Sequence, residues 1–122
     1  MSFDWKDYIK LAKKLYDESN KDSIEEAYNR AVISRSYYGI FCISRIKAGL
    51  EYISDPSIHK RVIGYYTNSN KPEKQAVGEL LDELRRMRIK ADYYRNKNID
   101  KGLAERAILK ANEVLSIFGE RI

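Results

Sequence analysis

The sequence predicts an all-α fold, an up-down four-helix bundle with one additional short helix between its second and third long helices. Three observations predict it. Only two prolines and six glycines interrupt 122 residues, too few turn-formers for a sandwich or barrel of many short strands. Apolar residues recur at spacings of three and four along most of the chain, the period of a helix with one buried face. Charged residues make up 34% of the chain, as helices with solvated outer faces require. The length suits one domain, residues 1–122, and the 43% of hydrophobic residues suffices for one core.

The first helix is expected from Phe3 to Glu18, with Trp5, Tyr8, Leu11, Ala12 and Leu15 on one face. The polar run Ser19 to Asp22 breaks it. Ser23 and Glu26 have the spacing of a capping box and place the start of a second helix at Ile24. That helix is read to Tyr52, with Ala27, Ala31, Ser34, Tyr38, Phe41 and Arg45 along one stripe. Its small residues Ala27, Ala31 and Ser34 would admit a close neighbour. Ser54-Asp55-Pro56 ends it, because proline disfavours helical geometry in the residue before it. A short helix follows from Ser57 to Tyr66, then a polar loop from Thr67 to Pro72. The next helix runs from Glu73 to Arg95, with Val77, Leu80, Leu81, Leu84, Met87, Ala91 and Tyr94 inward. Asp100 is the expected N-cap of the last helix, which buries Leu103, Ala107, Ile108, Ala111, Val114, Leu115 and Phe118.

Composition narrows the function. The net charge of +5 attracts phosphate polymers or an acidic partner, although a lysine-rich solvated surface has the same composition. Cys42, the only cysteine, has no internal disulfide partner and stands among apolar neighbours. It reads as a buried, inert thiol in a reducing, cytoplasmic setting. No stretch is apolar and long enough to span a membrane, and Asp4-Trp5-Lys6 opens no signal peptide. Glycine-rich phosphate loops and histidine–glutamate zinc patterns are missing. His59 is the only histidine, so no multi-histidine metal site is expected, and no cofactor is implied. No strand-turn-helix glycine motif surrounds a serine.

Two segments are unusual for plain core helices: Arg35 to Phe41, with Tyr37 and Tyr38 adjacent, and Arg85 to Tyr94. In the second, Arg85, Arg88 and Asp92 share one helical side, and an i,i+4 pairing would fix the direction of Arg88. Arg86 and Lys90 form a more exposed basic pair. A guanidinium donates two hydrogen bonds to one phosphate, and tyrosines stack on bases. Arg35, Arg85, Arg88, Lys90, Asp92 and Tyr38 are therefore candidate nucleic-acid or phosphate-binding residues. A salt-bridged helix with tyrosines along the core edge remains the structural alternative. Tyr37 and Tyr38 suit core filling with hydroxyls reaching polar partners. Arg35 is a candidate partner for such a hydroxyl, or for Asp92 across the bundle.

Three segments also carry a family resemblance. Ser34-Arg35-Ser36-Tyr37-Tyr38-Gly39-Ile40-Phe41 resembles the SRAYYAAFHAAR helix of HEPN-domain proteins. Ser57-Ile58-His59-Lys60-Arg61-Val62-Ile63 resembles the SKHKGVI segment that follows it. Arg88-Ile89-Lys90-Ala91-Asp92-Tyr93 is similar to the RxxADY signature of the small stand-alone branch grouped as UPF0332. The segments occur in the family's order and span nearly the whole chain.

The resemblance implies a helical bundle, usually a homodimer. Many members are metal-independent endoribonucleases of toxin–antitoxin and defence systems, often paired with a small nucleotidyltransferase; others are non-catalytic binding modules. The ribonuclease motif is an arginine, four to six residues, then a histidine at a dimer cleft. Counted from Arg88, this sequence has Tyr93 in that place, and Ile89 where a polar residue commonly follows the arginine. The usual general acid/base is absent, and an unperturbed tyrosine titrates near pH 10, too high for a neutral-pH base. The expectation is a dimeric RNA-, nucleotide- or partner-binding module. The alternative is a ribonuclease in which Arg88 stabilises the phosphate and Tyr93 or His59 handles the proton. A third reading is a purely structural bundle.

Overall fold

The computed structural model describes residues 2–19 and 23–122. Its helices are α1 (Lys6–Glu18), α2 (Glu25–Lys47), α3 (Ile58–Thr67), α4 (Pro72–Tyr93) and α5 (Lys101–Ile117), with no strand among the described residues. The expected order of elements holds, and cross-bundle contacts fix the directions. Arg30, Ser34 and Tyr38 of α2 meet Tyr94, Asp92 and Arg88 in turn, so α2 and α4 run antiparallel. Lys47 at the end of α2 pairs with Glu120 just beyond α5, while Asn29 near its start bonds Ile99 just before α5; these two helices run parallel. Tyr16 bonds Glu105 and Lys6 pairs with Glu120, which sets α1 antiparallel to α5. The long helices therefore alternate up and down, and α3 packs chiefly on α4.

α2 packs against α1, α4 and α5 at once, which explains why the single stripe read from the sequence was incomplete. Residues buried along it include Asn29, Val32, Ile33, Ser36, Tyr37, Ile40 and Ser44, spread around most of the helix. Of the expected stripe, Ala27 is exposed and Tyr38 and Arg45 are only half-buried. A close approach that the sequence reading did not single out falls at Gly39. A Cβ there would lie 2.8 Å from Ile9 Cγ1 and 3.1 Å from the Trp5 carbonyl. The α1 face is turned likewise: Ile9 and Ala12 are buried, whereas Leu11 is 41% exposed.

Helix ends also shifted for identifiable reasons. α1 begins at Lys6, with Trp5 as its N-cap. α2 begins at Glu25 with Ile24 as its N-cap, one residue later than the spacing of Ser23 and Glu26 placed it. Glu26 turns along the helix to Arg30, at 2.9 Å. α2 stops at Lys47, before Tyr52, because Gly49 adopts φ 74°. The Leu50 N–H then reaches the Arg45 carbonyl and the Gly49 N–H the Ile46 carbonyl, a Schellman stop. Gly119 ends α5 the same way. Thr67 belongs to α3, and Pro72 is the first residue of α4, where a missing N–H costs nothing. Asp100 caps α5 as expected, accepting from the Leu103 N–H at 2.9 Å. No helix among the described residues is long and apolar enough to cross a membrane.

Candidate functional site

The site forms where the middle of α2 faces the last turns of α4. Arg88 and Asp92, four residues apart, form the predicted pair at 2.9 Å from Nε to Oδ2. Nη2 of Arg88 donates to the Tyr38 hydroxyl at 2.5 Å and to the Tyr93 hydroxyl at 3.2 Å. The Ser34 hydroxyl donates to Asp92 at 3.4 Å and accepts from Arg35 at 3.4 Å. Arg35 thus reaches Asp92 through Ser34, where the sequence offered a tyrosine hydroxyl or Asp92 itself as its partner.

This arrangement has a chemical consequence. Both tyrosine oxygens accept from Arg88, so each O–H is turned to donate elsewhere. Nη1 of Arg88 has no protein acceptor among the described contacts. Arg88 and its two tyrosines therefore keep donors to give, which suits an anion with several acceptor oxygens.

Rings and guanidinium groups alternate across the site. Arg35 lies 5.0 Å from the ring of Tyr8, on α1, and 5.9 Å from that of Tyr38. Arg88 lies 4.9 Å from the Tyr38 ring and 5.3 Å from that of Tyr93. The series Tyr8–Arg35–Tyr38–Arg88–Tyr93 joins three helices through cation–π contacts. Phe3 and Trp5 extend it edge-on from Tyr8. At the far end Tyr93 is 67% exposed.

His59 comes to the same place from α3. Its ring stacks on Phe41 at 4.3 Å, and its Nδ1 lies 2.6 Å from the hydroxyl of buried Tyr37. Tyr37 fills the core with its hydroxyl on a polar partner, as expected, but that partner is His59 and not Arg35. Burial, then the charges of Arg85, Arg88 and Arg45, lower the His59 pKa from 6.5 to about 4. Burial likewise raises Tyr37 well above the ordinary phenol range. The imidazole is neutral at pH 7 and occupied at Nδ1, a poor arrangement for a general acid.

Of the other residues singled out from the sequence, Arg85 lies one turn before Arg88 and its charge acts on His59, but its Nε is buried without a hydrogen-bond partner. Lys90 is exposed, and its carbonyl, not its ammonium, enters the described bonds, accepting from Arg30. Arg86 and Lys90 are both exposed on α4, four residues apart, and Arg86 also pairs with Asp82. Cys42 is half-buried where full burial was expected; desolvation nonetheless raises its pKa to about 11, so the thiol stays protonated. No cluster of three or more metal-ligating side chains occurs among the described residues.

Sequence reasoning missed Tyr8, Ser34 and Arg30. Arg30 donates to the carbonyls of Lys90, Ala91, Tyr94 and Lys97, closing the end of α4 that carries Asp92 and Tyr93. The only local signal for it was the i,i+4 spacing of Glu26 and Arg30.

Fold and site together define a small helical-bundle domain with an arginine–tyrosine cluster on one face. The family model of the HEPN domain matches residues 5–122, nearly the whole chain. The chain belongs to the HEPN family. No curated protein and no solved structure matches it.

Proposed function

We propose that this HEPN protein is a binding module that holds the phosphate of RNA or of a nucleotide at Arg88, and that it works as a cytoplasmic homodimer beside a small nucleotidyltransferase in a toxin–antitoxin or defence system. The observation that carries this reading is the donor set of Arg88, Tyr38 and Tyr93, whose oxygens and nitrogens are oriented by the protein and left with hydrogens to give. Asp92 fixes the guanidinium while neutralising only one of the two nearby positive charges, Arg88 and Arg35. The exposed rings of Tyr93 and Tyr94 beside the site suit a dimer face, since aromatic residues are enriched at interface cores. Membership of the small stand-alone branch, drawn from the RxxADY-like segment, belongs to the same proposal.

The second reading, a metal-independent endoribonuclease, draws support from the nearness of His59 to the cluster. Arg88 would stabilise charge on the scissile phosphate, and His59 or Tyr93 would move the proton. The neutral, Tyr37-bound state of His59 favours binding over cleavage. The test incubates wild-type protein and Arg88→Ala with end-labelled RNA, without added metal, and follows both retention and fragments. The binding module predicts RNA retained intact by the wild type and at least tenfold weaker retention by Arg88→Ala. Fragments from the wild type alone would establish the nuclease. Equal retention by both folded proteins would sink the Arg88 site.

A further inference from the structure

Next to Arg88 a groove of about 510 Å³ opens between α1, α2 and α3. Trp5, Tyr8, Tyr38 and Phe41 supply aromatic wall, and Arg35 and Arg45 supply positive charge; no carboxylate lines it. The volume lies within the usual range for small-molecule sites. Tyr38 belongs to both features: its ring lines the groove and its hydroxyl touches Arg88. Tyr38 therefore joins an aromatic, positively charged groove to the Arg88 site.

His59 closes the groove, and its hydrogen-bonding state follows from geometry. The Tyr37 side chain is fully buried, and Nδ1 of His59, at 2.6 Å, is the only acceptor its hydroxyl meets in the described contacts. Were Tyr37 to accept from Nδ1–H, its own hydrogen would be buried without an acceptor, at a cost of about 1–3 kcal/mol. Tyr37 therefore donates, Nδ1 accepts, and the ring proton sits on Nε2. One face of the ring is covered by Phe41, so Nε2–H is the group the imidazole has to offer a ligand.

We propose that this groove seats the base of a nucleotide whose phosphate lies at Arg88, and that His59 reads the base by donating from Nε2–H to an acceptor on its edge. The proposal rests on the phosphate-holding reading above and adds the ligand's second half and a specificity-determining residue. A free nucleotide and one nucleotide of a single strand share this chemistry.

Trp5 is the only tryptophan in the chain, so its fluorescence reports the groove directly. The full protein is titrated with the four nucleoside monophosphates, a short single-stranded RNA, ribose 5-phosphate and inorganic phosphate, following Trp5 emission and calorimetric affinity. Expected are a change in Trp5 emission with nucleotides only, and at least tenfold tighter binding of the preferred nucleotide than of ribose 5-phosphate. The preference among the four bases should collapse in His59→Phe, with ribose 5-phosphate binding unchanged. The double variant Tyr37→Phe/His59→Phe, which leaves no orphan hydroxyl, should behave likewise if the single variant unfolds. Tighter binding of the strand than of its monomer would assign the site to RNA, and equal binding to a free nucleotide; both support the groove. Equal affinity for nucleotides and ribose 5-phosphate with Trp5 unmoved would overturn the groove and leave the Arg88 site standing. No binding of any phosphate compound would overturn both.

Discussion

At the residue scale, the Tyr37–His59 pair makes a prediction about acid stability. The folded protein keeps His59 at about 4 against 6.5 for an unhindered histidine. Between those values the unfolded chain binds the extra proton and the folded protein does not, so stability rises with pH across this window. Acidification from pH 7 therefore removes stability progressively down to about pH 4. Urea midpoints measured along that range should fall more steeply in the wild type than in His59→Gln, the carboxylates contributing equally to both; parallel curves would disprove the depressed histidine. Arg88–Asp92 was legible at this scale because both partners sit on one helix, four residues apart. Tyr37–His59 was not, because its distance depends on where α3 comes to rest against α2.

At the element scale, backbone contact and helix ends decide the architecture. A Cβ on Gly78 would lie 2.7 Å from the Thr67 backbone nitrogen and 2.9 Å from its Cα. Alanine gains about 1 kcal/mol of helix propensity over glycine, but here the clash is with backbone, which has no rotamer to change. Gly78→Ala should be net destabilising by about 1–3 kcal/mol, within the range for overpacking. Chemical denaturation measures it, and an increase in stability would show that α3 and α4 are less closely packed than described. Arg30→Ala removes donors from four carbonyls at the end of α4. About 2 kcal/mol of stability should be lost, with faster amide exchange confined to the end of α4 and the turn after it. Unaltered exchange there would mean that Arg30 does not hold that turn. Gly49, by contrast, was visible in the sequence but overlooked: a glycine followed by an apolar residue is itself a helix-stop signal.

At the scale of the whole molecule, the charge of +5 makes any nucleic-acid binding dependent on salt. Each phosphate neutralised on a single strand contributes about 0.7 to the slope of log affinity against log salt. Arg88→Ala should lower that slope by about 0.7, whereas an exposed, unpaired lysine away from the site should not. A flat response in the wild type would mean that the charge only solvates the bundle. The sequence by itself determined the all-helical class, the order and approximate length of the helices, and the Arg88–Asp92 pair, because all of these follow from spacing within a few turns of one helix. The tertiary structure decided which side of α2 counts as surface, because three neighbours compete to cover it. It also brought Tyr8, Arg35, Tyr38, Arg88, Tyr93 and His59, from four different helices, to one face. Periodicity sets the direction of a side chain about its own helix axis, and only packing sets what stands opposite.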